Sequence, residues 1–409
     1  MNRIFVGLGL CGLLTFLNIY IVDSQALPES ENAKGQMQLA SLLLIDTVAE
    51  ISICKKKALV IKSLQEAFTL SRFEKDGKIH TMAVLEDDGE SVKGVDLSVT
   101  LSRYDSNSFD VIKDMEFNEI VKIILECTTT VTVKYKKLLP CVTGEEHLAI
   151  GINYAEHGKE TGQVRPFMFP KFVATDPAVH YLHYEKGWLL DYEVELGIAF
   201  PSAVCLSSDV EHLRIGFLVV NDFTDRATLM RKMDSQNVTG GKGFPDAKSK
   251  IGFLPTGPYM VIPRDWRAFV KELQLQLCVN GELRQRGNAK DMVWKIDEII
   301  ERSLAVKGKK CSYYQDKTVT LFTGDCIPSN SIIITGTPAG TAFNAPKRSF
   351  IFGTLIKYIC TGRFLSAKMH PYILQQYLKK QMKNPFYLKP GDQVESCINY
   401  LGTIKTRVQ

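Results

Sequence analysis

The chain has 409 residues, of which 45% are hydrophobic and 23% charged, a balance typical of globular proteins, and this length predicts two or three domains. The net charge of +5 is mild, and no basic stripe with interleaved aromatic residues is present, so nucleic-acid binding is not expected. The ten cysteines lack CxxC or Cys/His spacing, which indicates neither a zinc site nor a disulfide framework.

The first 26 residues carry the features of an export signal. Arg3 precedes an apolar run over 4–22, and Ser24-Gln25-Ala26 places small residues where a signal peptidase cleaves. We therefore expect a cleaved signal peptide over 1–26 and an exported protein, either periplasmic or secreted. The alternative is a retained transmembrane anchor, because a run of about 19 apolar residues can just cross a bilayer.

A small N-terminal domain that contains β-strands is expected over 27–147. Its apolar spacing predicts two helices, at 30–52 and 109–127. Short strands are predicted at 58–61, 80–85 and 91–95, with a hairpin turn at 87–89.

A second domain is expected over 148–409, and its most unusual stretch is 190–196, where carboxylates alternate with apolar residues. In a strand, Asp191, Glu193 and Glu195 would share one face, because successive side chains point to opposite sides. A solvated strand face is the plain interpretation. The alternative is a hard-cation site, since Mg²⁺ and Ca²⁺ take carboxylate oxygens.

Asp222 follows another apolar strand, predicted over 216–221, at the point where a buried strand emerges. Ligand residues are common at such a position. A turn aspartate or a helix N-cap is the alternative.

His157 and Glu160 lie three residues apart in the polar stretch 155–162, so a helix would place them on one face. A carboxylate beside an imidazole raises its basicity and fixes its tautomer, which suits a general base. A surface pair is the common alternative. Gly158 and Gly162 argue against a stable helix and favour a segment that becomes ordered over a ligand.

The rest of the second domain is predicted to consist mainly of strands, with one further helix. The strands are expected at 259–262, 273–279, 318–322 and 331–335, with a closing pair after 388, and the helix at 290–306. Lys171 and Thr337 give no signal by themselves, since a lone lysine is usually solvated and Thr337 lies in an ordinary Gly/Pro turn.

Eight short motifs over 148–409, taken in order, resemble the fumarylacetoacetate hydrolase family. They are Gly151-Ile152-Asn153-Tyr154-Ala155-Glu156-His157, Phe169-Pro170-Lys171, Asp191-Tyr192-Glu193-Val194-Glu195-Leu196, Asn221-Asp222 with Arg226, Thr256-Gly257-Pro258, Val279-Asn280-Gly281-Glu282, Thr335-Gly336-Thr337-Pro338 and Lys389-Pro390-Gly391-Asp392. The resemblance implies an α+β, β-rich fold: a mixed β-roll C-terminal domain with a small N-terminal domain, usually dimeric.

The resemblance also implies roles for individual residues. A divalent metal, usually Mg²⁺ with Mn²⁺ or Ca²⁺ as alternatives, would be held by Glu193, Glu195 and Asp222. The implied catalytic residues are His157, Glu160 and Lys248, and the implied substrate-binding residues are Lys171, Arg226 and Thr337.

The implied function is hydrolysis of a C–C bond in a small 1,3-diketo acid of the fumarylacetoacetate or acylpyruvate type. Oxaloacetate decarboxylation or keto–enol isomerisation on the same fold is an alternative, and so is a secreted binding protein that has lost catalysis. Ala227 and Leu229 stand where many family members carry Asp and Gln, which leaves the substrate open. Residues 347–386 are an extra segment whose pattern predicts a helical excursion. It is interpreted as a plain insertion, with an oligomer contact or a membrane-surface patch as alternatives.

Overall fold

Twenty strands form the framework of the residues that the structure describes. This structure is a computed structural model, and it describes residues 59–104, 107–207, 210 and 213–409. The predicted signal peptide over 1–26 and the predicted helix over 30–52 lie outside the described residues. The strands are β1 (Ala67–Lys75), β2 (Lys78–Asp87), β3 (Ser91–Asp96), β4 (Thr130–Lys134), β5 (Leu138–Leu139), β6 (Glu146–Gly151), β7 (Phe167–Phe172), β8 (Val179–Leu182), β9 (Leu190–Asp191), β10 (Val194–Ala199), β11 (Gly216–Asn221), β12 (Thr224–Asp225), β13 (Met260–Pro263), β14 (Gln274–Val279), β15 (Glu282–Asn288), β16 (Ser312–Tyr314), β17 (Lys317–Val319), β18 (Ile333–Ile334), β19 (Gln393–Ile398) and β20 (Gly402–Val408).

The described residues also include ten α-helices, most of them short. They are α1 (Leu97–Leu101), α2 (Ser108–Val111), α3 (Phe117–Glu126), α4 (Ala155–Thr161), α5 (Arg226–Lys232), α6 (Phe244–Lys248), α7 (Trp266–Glu272), α8 (Ile296–Ala305), α9 (Arg348–Cys360) and α10 (Met369–Gln381). None of the helices in this part of the chain has both the length and the apolar composition that a bilayer crossing requires.

Two sheets carry most of the strands. The larger has eleven strands in the order β4-β3-β2-β1-β13-β11-β10-β18-β6-β7, with β5 paired to β1, and the second has the order β15-β14-β19-β20-β8. Strand β1 pairs antiparallel with β13, so strands of the N-terminal region extend the sheet that contains β10 and β11. The predicted β-rich α+β fold is confirmed.

Strands β10 and β11 lie in the middle of the larger sheet, and both of its faces are buried there. Leu196 and Val219 belong to a hydrophobic cluster that also contains Leu277 of the second sheet. Leu218 and Val220 point into a separate cluster. A polar side chain on these strands is therefore withheld from bulk water unless a cavity reaches it.

The first predicted strand, at 58–61, is wrong for the described residues 59–61, which are not in a strand, and β1 begins at Ala67 instead. Seven consecutive residues of β1 are buried, including Arg72, so the period-2 alternation that marks a half-exposed strand is absent. The strand is central, between β2 and β13, and this position explains the burial of both of its faces.

The predicted helix over 109–127 is two helices, α2 and α3. Between them Asp114 adopts a positive φ of 62°, which interrupts the helical backbone. Helix α3 then begins at a capping box in which Glu116 and Glu119 satisfy each other's backbone amides. The helix predicted over 290–306 is shorter, at Ile296–Ala305, and the strand predicted over 318–322 is found at Lys317–Val319.

A disulfide joins Cys205 to Cys326, so the expectation that the cysteine spacing indicates no disulfide was wrong at this pair. The two cysteines are 121 residues apart in sequence. Their neighbours Val204 and Ile327 exchange two backbone hydrogen bonds of 2.9 Å each, and this antiparallel bridge brings the sulfur atoms together. Spacing along the chain carries no information about such a long-range pair.

Buried His147 on β6 makes stability depend on pH. Its Nδ1 accepts a hydrogen bond from the Ile332 amide at 3.1 Å, and its Nε2 lies 3.0 Å from the Val173 carbonyl, an arrangement that fits the neutral ring. Burial, reinforced by the charge of Lys171, lowers the pKa of His147 from 6.5 to about 4. The unfolded chain therefore takes up a proton at a higher pH than the native protein.

We expect the free energy of unfolding to fall as the pH is lowered from 6.5 towards about 4, because only the unfolded state is protonated in that interval. The contribution of His147 is about 3 kcal/mol. Urea denaturation across this interval measures it, and His147→Asn should flatten the slope, whereas His183→Asn at an exposed position should not. Equal slopes in wild type and His147→Asn would contradict this origin.

Candidate metal and catalytic site

The pairing of β10 with β11 brings three carboxylates together. Glu195 lies on β10 opposite Val220, and Val194 lies opposite Asn221. Glu193 immediately precedes β10, and Asp222 immediately follows β11. The Asp222 amide donates to the Glu193 carbonyl at 2.9 Å, and the Glu193 amide donates to Asn221 Oδ1 at 3.0 Å. These backbone contacts fix both residues at the same end of the strand pair.

Glu193, Glu195 and Asp222 each offer an oxygen within 4.8 Å of the others, and all three residues are buried. Asp222 is not the helix N-cap that its sequence position also allowed. That role belongs to Asp225, whose side chain accepts a hydrogen bond from the Ala227 amide at the start of α5. Three converging carboxylate oxygens are the donor set that Mg²⁺ and similar hard cations prefer, so the residues present fit a divalent metal.

Three cationic side chains surround the carboxylates. Lys248, at the end of α6, donates to Glu193 Oε2 at 2.5 Å and to Asp222 Oδ2 at 2.7 Å. Lys171, on β7, is fully buried and donates to Asp222 Oδ1 and to the Phe253 carbonyl. Arg226, at the start of α5, forms salt bridges with Glu193 and with Asp191.

These cations do not balance the acidic charge. When all are ionised, three cationic side chains face four carboxylates, which leaves one negative charge in excess: Lys171, Lys248 and Arg226 against Asp191, Glu193, Glu195 and Asp222.

The excess of carboxylates over cationic side chains has its largest effect on the pKa of Glu195. Burial, with Asp222 and Glu193 nearby, raises the pKa of Glu195 well above its usual range. Burial also disfavours ionisation of Glu193, but Lys248 and Arg226 overcome this effect and lower the pKa of Glu193 to about 2. A bound divalent cation would favour the ionised form of Glu195, because it adds positive charge beside this carboxylate.

His157 and Glu160 form a pair on α4. His157 Nδ1 lies 3.2 Å from Glu160 Oε2, and Glu160 also accepts hydrogen bonds from the Gly340 amide at 2.9 and 3.2 Å. The expectation that glycines prevent a helix here was wrong. Gly162 ends α4 with a φ of +71°, and a Cβ at Gly158 would lie only 2.5 Å from the Gln163 carbonyl.

Asp191 was expected on the same strand face as Glu193 and Glu195, but the strand is interrupted at Tyr192 and Glu193. Asp191 instead accepts hydrogen bonds from the Ala342 amide at 2.8 Å and the Phe343 amide at 3.2 Å, besides its salt bridge with Arg226. It therefore ties the loop after Thr337 to the metal-site strands. The alternating pattern over 190–196 predicted one continuous strand, so it offered no sign of these contacts of Asp191.

Gln285 on β15 is a residue that the sequence did not single out. Its Oε1 accepts a hydrogen bond from the Val194 amide at 3.0 Å, and its Nε2 donates to Thr337 Oγ1 at 2.8 Å. The Thr337 hydroxyl in turn donates to the Val194 carbonyl at 2.9 Å. Gln285 thus fixes Thr337 against the carboxylate strand. It lies in an ordinary hairpin, so nothing in its local sequence marked it.

The site residues face a cavity that is open to solvent and has a volume, including the open part, of about 750 Å³. Seven of the nine predicted site residues line the cavity: His157, Glu193, Glu195, Asp222, Arg226, Lys248 and Thr337. Glu160 reaches it through His157, and Lys171 through Asp222. The remainder of the wall is mainly apolar and includes Leu229 and Phe244.

The fold and this site define the class: a β-rich protein whose buried acidic cluster fits a divalent cation and opens into a cavity. The family model described as fumarylacetoacetate (FAA) hydrolase C-terminal matches residues 146–409. The chain therefore belongs to the fumarylacetoacetate hydrolase family.

The chain is also similar to individual proteins in sequence and in structure. An uncharacterized protein of Staphylococcus aureus (strain USA300) is 29% identical over 285 residues, which are 66% of this chain and 72% of that protein. A fumarylacetoacetate hydrolase from psychrophilic Exiguobacterium antarcticum is similar in structure, with 21% identity, a TM-score of 0.52 and coverage of 84% of this chain and 99% of that one. A maleylpyruvate hydrolase from Sphingobium sp. SYK-6 has 18% identity, a TM-score of 0.50 and coverage of 83% and 98%. At these identities the two structures show a shared fold.

Glu195→Gln should abolish metal-dependent stabilisation without lowering the stability of the metal-free protein, because it removes a buried carboxylate that has excess negative charge around it. With Mg²⁺ at about 100 times its dissociation constant, binding should stabilise the wild type by about 3 kcal/mol. Thermal melts with and without Mg²⁺ measure the difference, with Glu185→Gln at an exposed position as the control. A variant that keeps the full metal-dependent shift would exclude Glu195 as a ligand.

Proposed function

We propose that this protein is a divalent-metal-dependent hydrolase that cleaves a C–C bond in a 1,3-diketo acid of the acylpyruvate type. One observation carries the proposal: the metal-fitting carboxylates Glu193, Glu195 and Asp222 line the same cavity as His157. The structurally similar proteins from E. antarcticum and Sphingobium are named as hydrolases of fumarylacetoacetate and maleylpyruvate, which are compounds of this chemical kind.

Mg²⁺ is the proposed cation, with Mn²⁺ or Ca²⁺ as alternatives, and Glu193, Glu195 and Asp222 would hold it. When bound, such a cation supplies Lewis-acid stabilisation of the oxygens of a β-dicarbonyl group. Three protein ligands leave positions of an octahedral ion open for small ligands, which suits a substrate with two neighbouring oxygens.

His157 is proposed as the general base. When its Nδ1–H donates to Glu160, its Nε2 is the acceptor nitrogen and can take a proton from water. The water oxygen then adds to the acyl carbonyl carbon, and the bond between this carbon and C3 breaks. The bonding electrons pass to C3 as the enolate of pyruvate, which takes up a proton, and the acyl group leaves as a carboxylic acid.

The cationic residues have different proposed roles. Lys248 lines the cavity, so its ammonium can stabilise negative charge that develops on the enolate. Arg226 also lines the cavity and is proposed to orient Glu193 and the substrate carboxylate. Lys171 was predicted to bind substrate, but its contacts support a positioning role through Asp222. Thr337 is proposed to contact a substrate oxygen.

The His157–Glu160 pair favours hydrolysis over oxaloacetate decarboxylation. Decarboxylation needs stabilisation of an enolate but no activated water, so it gives no reason for this pair. Loss of diketo-acid absorbance with acetylpyruvate and Mg²⁺, measured beside loss of oxaloacetate, tests the proposal. We expect Mg²⁺-dependent release of acetate and pyruvate. Turnover of oxaloacetate alone, or of neither compound, would contradict it.

His157→Ala should lower kcat for diketo-acid hydrolysis by about 10²–10⁴-fold, because it removes the proposed base. Metal binding should persist, since the carboxylate ligands are intact, and the Mg²⁺-dependent rise in melting temperature checks this. Glu160→Gln should have a smaller effect on kcat, because it removes only the charge that favours the imidazolium. Unchanged turnover in His157→Ala would remove this residue from the mechanism.

We also propose that the protein is exported and forms a homodimer. Export is supported by the apolar run over 4–22 and by the Cys205–Cys326 disulfide, since disulfides persist in oxidising compartments. Mass spectrometry of the mature N-terminus distinguishes cleavage after residue 26 from a retained membrane anchor. Light scattering of the purified protein measures the oligomeric state.

A further inference from the structure

A second cavity lies beside the first and shares part of its wall. It is also open to solvent, and its volume including the open part is about 550 Å³. Met230, Met233 and Phe343 line both cavities. These shared side chains form a common wall, or partition, between the metal site's cavity and the second cavity.

The inserted segment 347–386 supplies the far wall of the second cavity. Ile351 of α9 and Ile373, Leu374 and Tyr377 of α10 line it. The predicted helical character of the insertion is confirmed, and α10 packs against α5 in a cluster that includes Met230, Tyr377 and Leu378. A segment that the family resemblance did not include thus borders the proposed substrate site.

The lining changes from charged residues at the metal site to mainly apolar residues in the second cavity, where Ser235 and His370 are the polar exceptions besides Tyr377. The partition consists of two methionines and a phenylalanine, and Leu229, where many relatives carry Gln, lines the first cavity. Methionine side chains are unbranched and adapt readily to the shape of a neighbour. The Phe343 amide donates a hydrogen bond to Asp191, so the unbranched side chains of Met230 and Met233 are the part of the partition between which a chain would pass.

We infer that the second cavity is an acyl-chain subsite, and that the substrate is an acylpyruvate with an unbranched, apolar acyl chain of medium length. This inference rests on the proposed function for the polar end of the substrate. The dicarbonyl group would lie at Glu193, Glu195 and Asp222, and the chain would pass between Met230 and Met233 towards α9 and α10.

A substrate series from acetylpyruvate to decanoylpyruvate tests the inference on the full-length mature protein with Mg²⁺. We expect kcat/KM to rise about fourfold for each added methylene until the second cavity is filled, because each methylene leaves water for an apolar wall. A kcat/KM that stays constant or falls beyond acetylpyruvate would overturn it.

Leu374→Trp narrows the second cavity, and Gln375→Trp adds the same side chain at an exposed position of the same helix. Leu374→Trp should lower the ratio of kcat/KM for octanoylpyruvate over acetylpyruvate by roughly tenfold or more, mainly through KM. Gln375→Trp should leave both values as in the wild type. An unchanged ratio in a Leu374→Trp protein that keeps its Mg²⁺-dependent melting shift would overturn the assignment.

Binding separates this inference from the proposed function. The probe 2-oxodecanoate has the chain and the 2-oxo acid but no second carbonyl to be cleaved. Calorimetry with Mg²⁺ should show that it binds more tightly than pyruvate and that Leu374→Trp removes the difference. This result without any hydrolysis would support the subsite and contradict the hydrolase proposal. Hydrolysis of acetylpyruvate with no chain-dependent binding would support the hydrolase proposal and contradict the subsite.

Discussion

The structure depends on how three neighbouring carboxyl groups are held in the middle of a buried sheet. Glu193, Glu195 and Asp222 converge where β10 and β11 are covered on both faces, and ionised carboxylates are costly in such a place. Lys248 and Arg226 offset much of this cost at Glu193, and Lys171 does so at Asp222. In the described contacts Glu195 accepts only a peptide hydrogen bond, from Gly336, and a bound divalent cation would add positive charge beside this carboxylate.

The same arrangement links the acidic cluster to the other parts of the site. Asp191 connects Arg226 to the peptide amides of Ala342 and Phe343, and Gly340 in the same loop donates to Glu160. The loop after β18 therefore contacts both the metal-site strands and the His157–Glu160 pair. A change in this loop would alter the orientation of the base and the carboxylates together.

The apolar pattern placed the carboxylates on or beside buried strands, and the family resemblance grouped Glu193, Glu195 and Asp222, which the structure brings together. The order of motifs across 148–409 then identified the family, and the matched family model confirms it. The sequence was insufficient where long-range packing decides. Buried β1 has no alternation, Cys205 and Cys326 are joined by a distant strand bridge, and Gln285 acts from another hairpin. The helical insertion was visible, but its place beside Met230 was not.

The central claim is that one divalent cation binds between Glu193, Glu195 and Asp222. A crystal structure of the protein soaked with Mn²⁺, with anomalous scattering recorded at the manganese edge, tests it most directly. The account predicts a single strong anomalous peak at about 2.0–2.2 Å from one oxygen of each of the three carboxylates, the range for hard divalent ions of this size. An occupied cation site elsewhere with no peak between these residues, or no ion bound at all, would contradict it.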